Sequence, residues 1–281
     1  MAYGTKTANV MDIPLNISSV VAPYLSDNNY KHTDLGSVRV LSIANGSLAD
    51  YDEGNASTPF GSPTLVVPTE QILTLAYNKS MLLRIQRTQM QDIPVSRFSK
   101  QVAMQQADQV FVPAHDAYSL AKILASRPVG NKVLITLSTD NLKLKFANTV
   151  TKARTGGANV NQSIAWIAYD FADRLTDAIN FTGSSEGYKD AKAGYLGKFK
   201  GVKCVECPDD YLGDGVYVIV ADKRAIVNVR PKMDPKGDGV VVIEKVPGFS
   251  GIEIQLRDRG DTFVLSKKVD SVSSLEDETS A

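Results

Sequence analysis

The chain has 281 residues, 43% of them hydrophobic and 22% charged, with 31 basic side chains balanced by 31 acidic ones. That length can bury one large core or two smaller ones, and the composition is that of an ordinary globular protein. A net charge of zero gives no long-range pull toward nucleic acid or an anionic membrane, so nonspecific DNA binding is not the expected main task, although a locally basic face is compatible with the total.

No run of about eighteen apolar residues occurs, and Met1 to Val10 has neither the basic leader nor the apolar stretch of a signal peptide. The expectation is a protein made and kept in a cytoplasm, with no membrane partner. The two cysteines, Cys204 and Cys207, are too few for a disulfide framework.

Residues 1–35 mix short apolar groups with Asn, Ser, Pro and Asp and show no sustained period, which predicts an extended arm that lies across a neighbouring subunit. From Ser37 the pattern alternates: Val38, Val40, Leu41 and Ile43 predict a strand, followed by a long polar loop from Ala44 to Pro63. Ile72, Leu73, Leu75 and Tyr77, then Met81, Leu82, Leu83 and Ile85, continue this strand excursion, with Asn78-Lys79-Ser80 as a turn candidate. Residues 36–93 are thus read as a projecting β loop with its flanking strands.

Arg97 to Ser126 reads as the longest helix, within a segment 94–135 that also holds a strand. Positions 103, 107, 110, 114, 117, 121 and 124 are Ala, Ala, Val, Ala, Ala, Ala and Leu, a stripe of mostly small residues that suits close packing of a spine helix. Pro113 lies inside it, removes a backbone donor and crowds the carbonyl of Gln109, which predicts a kink or a break. Residues 136–235 read as a mixed α/β domain. A helix from Thr139 or Asp140 to Thr155 has cap candidates in Ser138-Thr139-Asp140 and a stop at Gly156-Gly157.

Ile164 to Tyr169, short, aromatic and β-branched, predicts a buried strand, and Asp170 caps a helix from Phe171 to Ile179. Gly183 to Gly201 reads as a loop. Val202 to Val205, Val216 to Ala221 and Ala225 to Val229 read as strands of one sheet. Residues 236–270 alternate in Val240 to Lys245, Ile252 to Leu256 and Thr262 to Leu265, which predicts closing strands, and 271–281 read as a loose, acidic, serine-rich tail.

This order of an extended arm, a projecting β loop, a long helix, a mixed α/β domain and returning strands resembles the major capsid proteins of tailed bacteriophages, which share the Hong Kong 97 fold. The resemblance is spread over roughly Ser37 to Val272. It rests on Gly156-Gly157, Ile164-Ala-Trp-Ile-Ala-Tyr169 and Phe171-Ala-Asp-Arg-Leu175, on Gly194-Tyr-Leu-Gly-Lys-Phe-Lys-Gly-Val202, and on Gly248-Phe-Ser-Gly251 with Arg257-Asp-Arg-Gly-Asp261 and Thr262-Phe-Val-Leu265. What it implies is an α+β fold with a spine helix, a peripheral domain and an apical domain. The implied function is that of a structural subunit forming pentamers and hexamers of an icosahedral head around phage DNA.

The partners the resemblance implies are copies of the chain itself, a separate scaffolding protein, a portal, and DNA through weak nonspecific contacts. The implied location is the virion, assembled in the host bacterial cytoplasm. An encapsulin-type compartment shell shares the fold and is the alternative. Family members that join subunits through a lysine and an asparagine offer no guide to a pair here, even though Lys79 follows Asn78.

The residues that invite chemistry are few. Cys204-Val-Glu-Cys207 has the spacing of a redox pair or half a zinc site, yet no second cysteine pair exists and His32 and His115 are distant in sequence. A thiol- or metal-dependent enzyme built on these cysteines is the reading from a different class; buried or edge thiols are the plainer one. His115 adjoins Asp116, but sequence neighbours on a helix point about 100° apart and form no preset dyad, so a surface or satisfied polar histidine is expected. Asp209, Asp210 and Asp214 with Gly213 and Gly215 lack the ligand order of a calcium loop and read as a solvated turn. Lys198, Lys200 and Lys203 with Tyr195 and Phe199 read as a solvated basic face able at most to brush nucleic acid, and Trp166 reads as core. No phosphate-loop, dinucleotide or nucleophile-elbow motif occurs. The expectation is a non-enzymatic protein without catalytic, cofactor or metal residues.

Overall fold

The computed structural model describes residues 18–25, 37–43, 48–54, 57, 60–61, 65–90, 94–137, 140–179, 194–229, 240–243 and 246–278. The chain forms two compact units, a small one of Asn29–Leu75 and a large one of Met1–Asn28 with Ala76–Ala281. In the small unit β1 (Ser37–Ile43) and β2 (Pro68–Thr74) make a two-stranded antiparallel ribbon in which Val38 opposes Leu73 and Val40 opposes Gln71.

The large unit opens with β3 (Tyr77–Gln86) and a single turn, α1 (Arg87–Met90). The turn expected at Asn78–Ser80 does not form: β3 is unbroken there because it pairs residue by residue with β11 (Gly251–Val264), from Gln86 opposite Gly251 to Tyr77 opposite Gly260. Residues 76–90 fall in the large unit. The two strands expected at 252–256 and 262–265 are one, because the polar run Arg257–Asp261 continues the ladder.

The long helix is α2 (Val95–Gln106), a π-helical turn (Ala107–Phe111) and α3 (Val112–Ala125) in continuous succession. In place of the kink or break expected at Pro113 the helix continues through this turn: the Val112 N–H reaches back to Ala107 O, five residues away, so the extra residue accommodates the donor that proline lacks. The inserted residue also turns the helix face. Val110, Ala114 and Ala121, members of the small-residue stripe, are exposed, and the buried side of the helix carries Ala103, Phe111, His115, Asp116, Ser119, Leu120 and Ile123. Ala103 and Phe111 pack with Ile252, Ile254 and Leu256 of β11 in a core beneath α2.

The larger core surrounds a six-stranded mixed sheet in the order β4 (Lys132–Ile135), β12 (Ser273–Asp277), β8 (Val216–Asp222), β5 (Ser163–Ala168), β7 (Val202–Cys207), β6 (Tyr195–Phe199). Pairing of β4 with β12 and of β5 with β7 is parallel and the rest antiparallel. All six residues of β5 are buried, the pattern of a central strand covered on both faces. Two helices pack on the sheet, α4 (Leu142–Thr155) and α5 (Tyr169–Ala178), and bury Phe146, Val150, Phe171 and Leu175.

The helix α4 is capped by Asn141, whose side chain accepts the Leu144 N–H at 3.0 Å, one residue beyond the expected caps. It stops at Gly156, where a Cβ would fall 1.7 Å from Asp270 O, and Gly157 follows with φ of 90°. The helix α5 begins at Tyr169, two residues early, with Asp170 in its first turn rather than at the cap. β6 occupies the end of the stretch expected as a loop; the rest of that loop, 183–193, lies outside the described residues.

The topology differs from the expected one in two places. β9 (Ile226–Val229) joins β11, not the sheet of β7 and β8, and β11 also takes β10 (Val240–Ile243). The supposed acidic tail is β12, an interior strand with Leu275 fully buried. Its polar groups are matched one by one: Ser273 Oγ donates to Thr149 O at 2.8 Å, Ser274 Oγ to Glu276 at 2.6 Å, and Glu276 is held by Arg127 and by Lys132 at 2.8 Å.

Burial works to raise the Glu276 carboxyl, but hydrogen bonds from Lys132 and Ser274 and the charges of Arg127 and Lys132 outweigh it and hold the group below the usual carboxylate range. A carboxylate depressed in the folded state stabilises above its unfolded pKa and stops doing so as pH falls through the folded value. The urea midpoint should therefore fall between pH 7 and about pH 3, and fall less in Glu276→Gln, as measured by Trp166 fluorescence.

Candidate functional site

The chemical candidates do not converge. Cys204 and Cys207 are buried and unpaired with each other in β7, where residues three apart point to opposite faces of the sheet. Their thiols contact different carbonyls, Val202 O at 3.7 Å and Ile167 O at 3.5 Å. Burial pushes the Cys204 thiol up to about 12, and burial with the nearby Asp209, Asp116 and Glu206 charges pushes Cys207 up as well, so neither is a thiolate at neutral pH. Replacing both by alanine should cost about 1–2 kcal/mol through small cavities and leave assembly and metal content unchanged, as read by urea unfolding, sedimentation and elemental analysis.

Asp209 and Asp210 sit in a one-turn helix, α6 (Asp209–Leu212), and with Asp170 and Asp214 they line a shallow cleft. No group of three or more metal-ligating side chains occurs among the described residues. Lys198 and Lys203 face each other across β6 and β7, and Lys200 lies over the Phe199 ring at 5.8 Å. Trp166 is wholly buried. No described helix is long and apolar enough to cross a membrane.

His115 and Asp116 are both buried, where a surface site was one expectation for the histidine, and they turn to different neighbours. His115 Nδ1 is 3.4 Å from Ser119 Oγ, and its ring meets Tyr77 edge-on at 5.1 Å. Asp116 instead accepts Ser19 Oγ at 2.7 Å and the Val20 N–H at 2.9 Å. Trp166 Nε1–H donates to Val20 O at 3.2 Å, and Val21 and Leu25 enter the main core. This part of the predicted arm thus seats on its own subunit; residues 1–17 and 26–35 lie outside the described residues. The signal in the sequence was Val21, Tyr24 and Leu25 at helical spacing behind Ser19, whose hydroxyl accepts the Ala22 N–H at 2.9 Å.

Two residues on, α3 is tied to β11: Tyr118 Oη donates to Asp261 at 3.0 Å, and Thr262 Oγ1 to Ser119 Oγ at 2.8 Å. Burial and the Asp261 carboxylate push the Tyr118 phenol up to about 12. The helix is therefore a fixed strut between the terminal segment and the long strand. Asp116→Ala removes two bonds to a buried carboxylate and should lower the unfolding free energy by about 3 kcal/mol, with Asp116→Asn costing less; urea unfolding measures both.

The surface most in need of a partner lies in the small unit. On one face of the ribbon Arg39, Leu41 and Ile43 line up with Glu70 and Ile72, and an Arg39–Glu70 ion pair sits among them. Leu41 is 66% exposed and Ile72 62%, and Phe60 and Leu65 in the connecting loop are 81% and 87% exposed. A two-stranded ribbon is marginal in water by itself, and contiguous exposed apolar groups mark a contact surface.

No protein-family model and no curated protein sequence matches the chain. Solved structures do. The capsid of cyanophage P-SCSP1u aligns with a TM-score of 0.64 at 11% identity over 98% of this chain and 93% of its own. A Mycobacterium phage Adephagia chain aligns with a TM-score of 0.63 at 12% identity, covering 99% of this chain and 95% of its own. A virus-like particle from Pyrococcus furiosus gives a TM-score of 0.55 at 15% identity over 92% and 93%. Likeness this complete at such low identity is a likeness of fold, and by it this chain has the α+β phage capsid fold.

Proposed function

We propose that the chain is the major capsid protein of a tailed bacteriophage, a structural subunit that assembles with its own copies into pentamers and hexamers of an icosahedral head enclosing phage DNA. The observation that carries this reading is a capsid fold spanning nearly the whole chain in which a two-stranded ribbon presents an apolar face to solvent. Copies related by closed symmetry would cover that face, as isologous or ring-forming contacts do. In this reading α2 and α3 are the spine, β3, β10 and β11 belong to the peripheral domain, the six-stranded sheet is the apical domain, and the ribbon is the projecting loop. A separate scaffolding protein and a portal complete the head, DNA touches the wall weakly, and the subunit works in the virion after assembly in the host cytoplasm.

An encapsulin-type shell is the second reading, favoured by the match to the Pyrococcus furiosus particle. Negative-stain microscopy of shells recovered from the native source, with nuclease-protected DNA and protein cargo measured in the same fractions, separates them. Shells holding DNA support the head, shells holding a cargo protein support the compartment, and a compact monomer under all conditions contradicts both.

A further inference from the structure

A sheet that ends in an open edge offers backbone groups to any extended chain, and a protein made in many copies at high local concentration meets such chains constantly. Among the described residues the six-stranded sheet ends on one side at β4, which pairs with β12. Its other side is closed by side chains. Lys145 and Lys152 lie seven residues apart on α4, two helical turns, and so on one face. Lys145 Nζ donates to Leu134 O at 2.8 Å, and Lys152 Nζ donates to Lys132 O at 2.7 Å and to Gly130 O at 2.9 Å.

Lys132 and Leu134 alternate along β4, so their carbonyls turn to the same side of the strand, and the two ammonium groups occupy that side; Gly130 lies in the turn just before the strand. Asp140 completes the row, accepting the Thr136 N–H at 2.8 Å while pairing with Lys145 at 3.0 Å. An open cleft of about 560 Å³ lies over this edge, bounded by Lys132, Val133 and Leu134 on the strand side and by Lys145 and Lys152 of α4, so a strand approaching the edge meets the two ammonium groups. The sheet's opposite edge, β6, carries an irregular register between Tyr195 and Gly197 and the Lys198 side chain, both unfavourable to an added strand.

We infer that Lys145 and Lys152 guard the β4 edge: by occupying its outward carbonyls they keep a strand from a second copy of the chain from pairing there. Self-association is thereby confined to other surfaces. The inference goes beyond the capsid reading, and its test uses the subunit held below its assembly concentration, so it does not depend on shells forming.

The test compares Lys145→Met with Lys152→Met, which keeps the apolar stems and removes the donors, against Lys143→Met with Arg154→Met, which removes two positive charges from exposed positions of the same helix. Sedimentation and thioflavin fluorescence are read after incubation, with a cooperative Trp166 unfolding transition as the check on folding. The edge pair should pellet several-fold more material than wild type and bind the dye, the control pair should match wild type, and Lys145→Arg with Lys152→Arg should restore solubility. Equal pelleting by both methionine pairs would reduce the effect to net charge and overturn the inference, as would an edge pair as soluble as wild type. If the double variant does not fold, the single variants carry the comparison: each exposes part of the edge and should give an intermediate increase, and no increase in either overturns the inference.

Discussion

Leu41→Asp combined with Ile72→Asp should abolish assembly while leaving the unfolding transition of the large unit unchanged. The two side chains share one face of the ribbon and are more than half exposed, so the subunit itself loses little when they become polar. In a contact between copies each would contribute about 1.5–3 kcal/mol by burial, and a buried unpaired carboxylate would cost more again. Together that exceeds about 4 kcal/mol per contact, which weakens each association at least a thousandfold. Sedimentation reads assembly, and Trp166, which lies in the large unit, reads stability. Assembly of the double variant at the wild-type concentration would show that the ribbon face is not a subunit contact.

Removing residues 273–281 should destroy the fold. β12 lies between β4 and β8, so its loss severs two ladders, uncovers both neighbours and removes the wholly buried Leu275 together with the carboxylate that Arg127 and Lys132 face. With about 1 kcal/mol for each ladder bond and 2–3 for Leu275, the loss is on the order of 10 kcal/mol, comparable to the whole stability of an ordinary domain. The truncated chain should give no cooperative Trp166 transition. A folded truncated protein would mean that this strand is a dispensable tail after all.

That strand shows where sequence reading stops. Ser273-Ser-Leu-Glu-Asp277 looks like a solvated end because its composition is polar, and its burial depends on partners more than a hundred residues away, Arg127, Lys132 and Thr149. The same limit hid the tie between Ser19 and Asp116, 97 residues apart, and the strut from Tyr118 to Asp261. Local signals served well where they set the structure alone. The apolar β-branched run around Trp166 is a buried strand, Gly156-Gly157 stops its helix, and the alternation at Val38 and Val40 is a strand.

Pro113 signals a disturbance, but whether a helix breaks or inserts a residue is decided by what its faces pack against, and the expected small-residue stripe is divided, with Ala103 buried and Val110, Ala114 and Ala121 exposed. The order of elements pointed to the fold because order survives when individual positions do not. The apolar face of the ribbon was half legible: Leu41 and Ile72 stood out as strand residues, but only the register between β1 and β2 shows that they share a side and face solvent.

Sedimentation velocity of the purified chain, across concentration and with the proposed scaffolding protein added, tests the central claim most directly. The 30.4 kDa subunit should give way to discrete, closed particles of very high sedimentation coefficient. A single compact 30.4 kDa species at every concentration, with and without the partner, would contradict it.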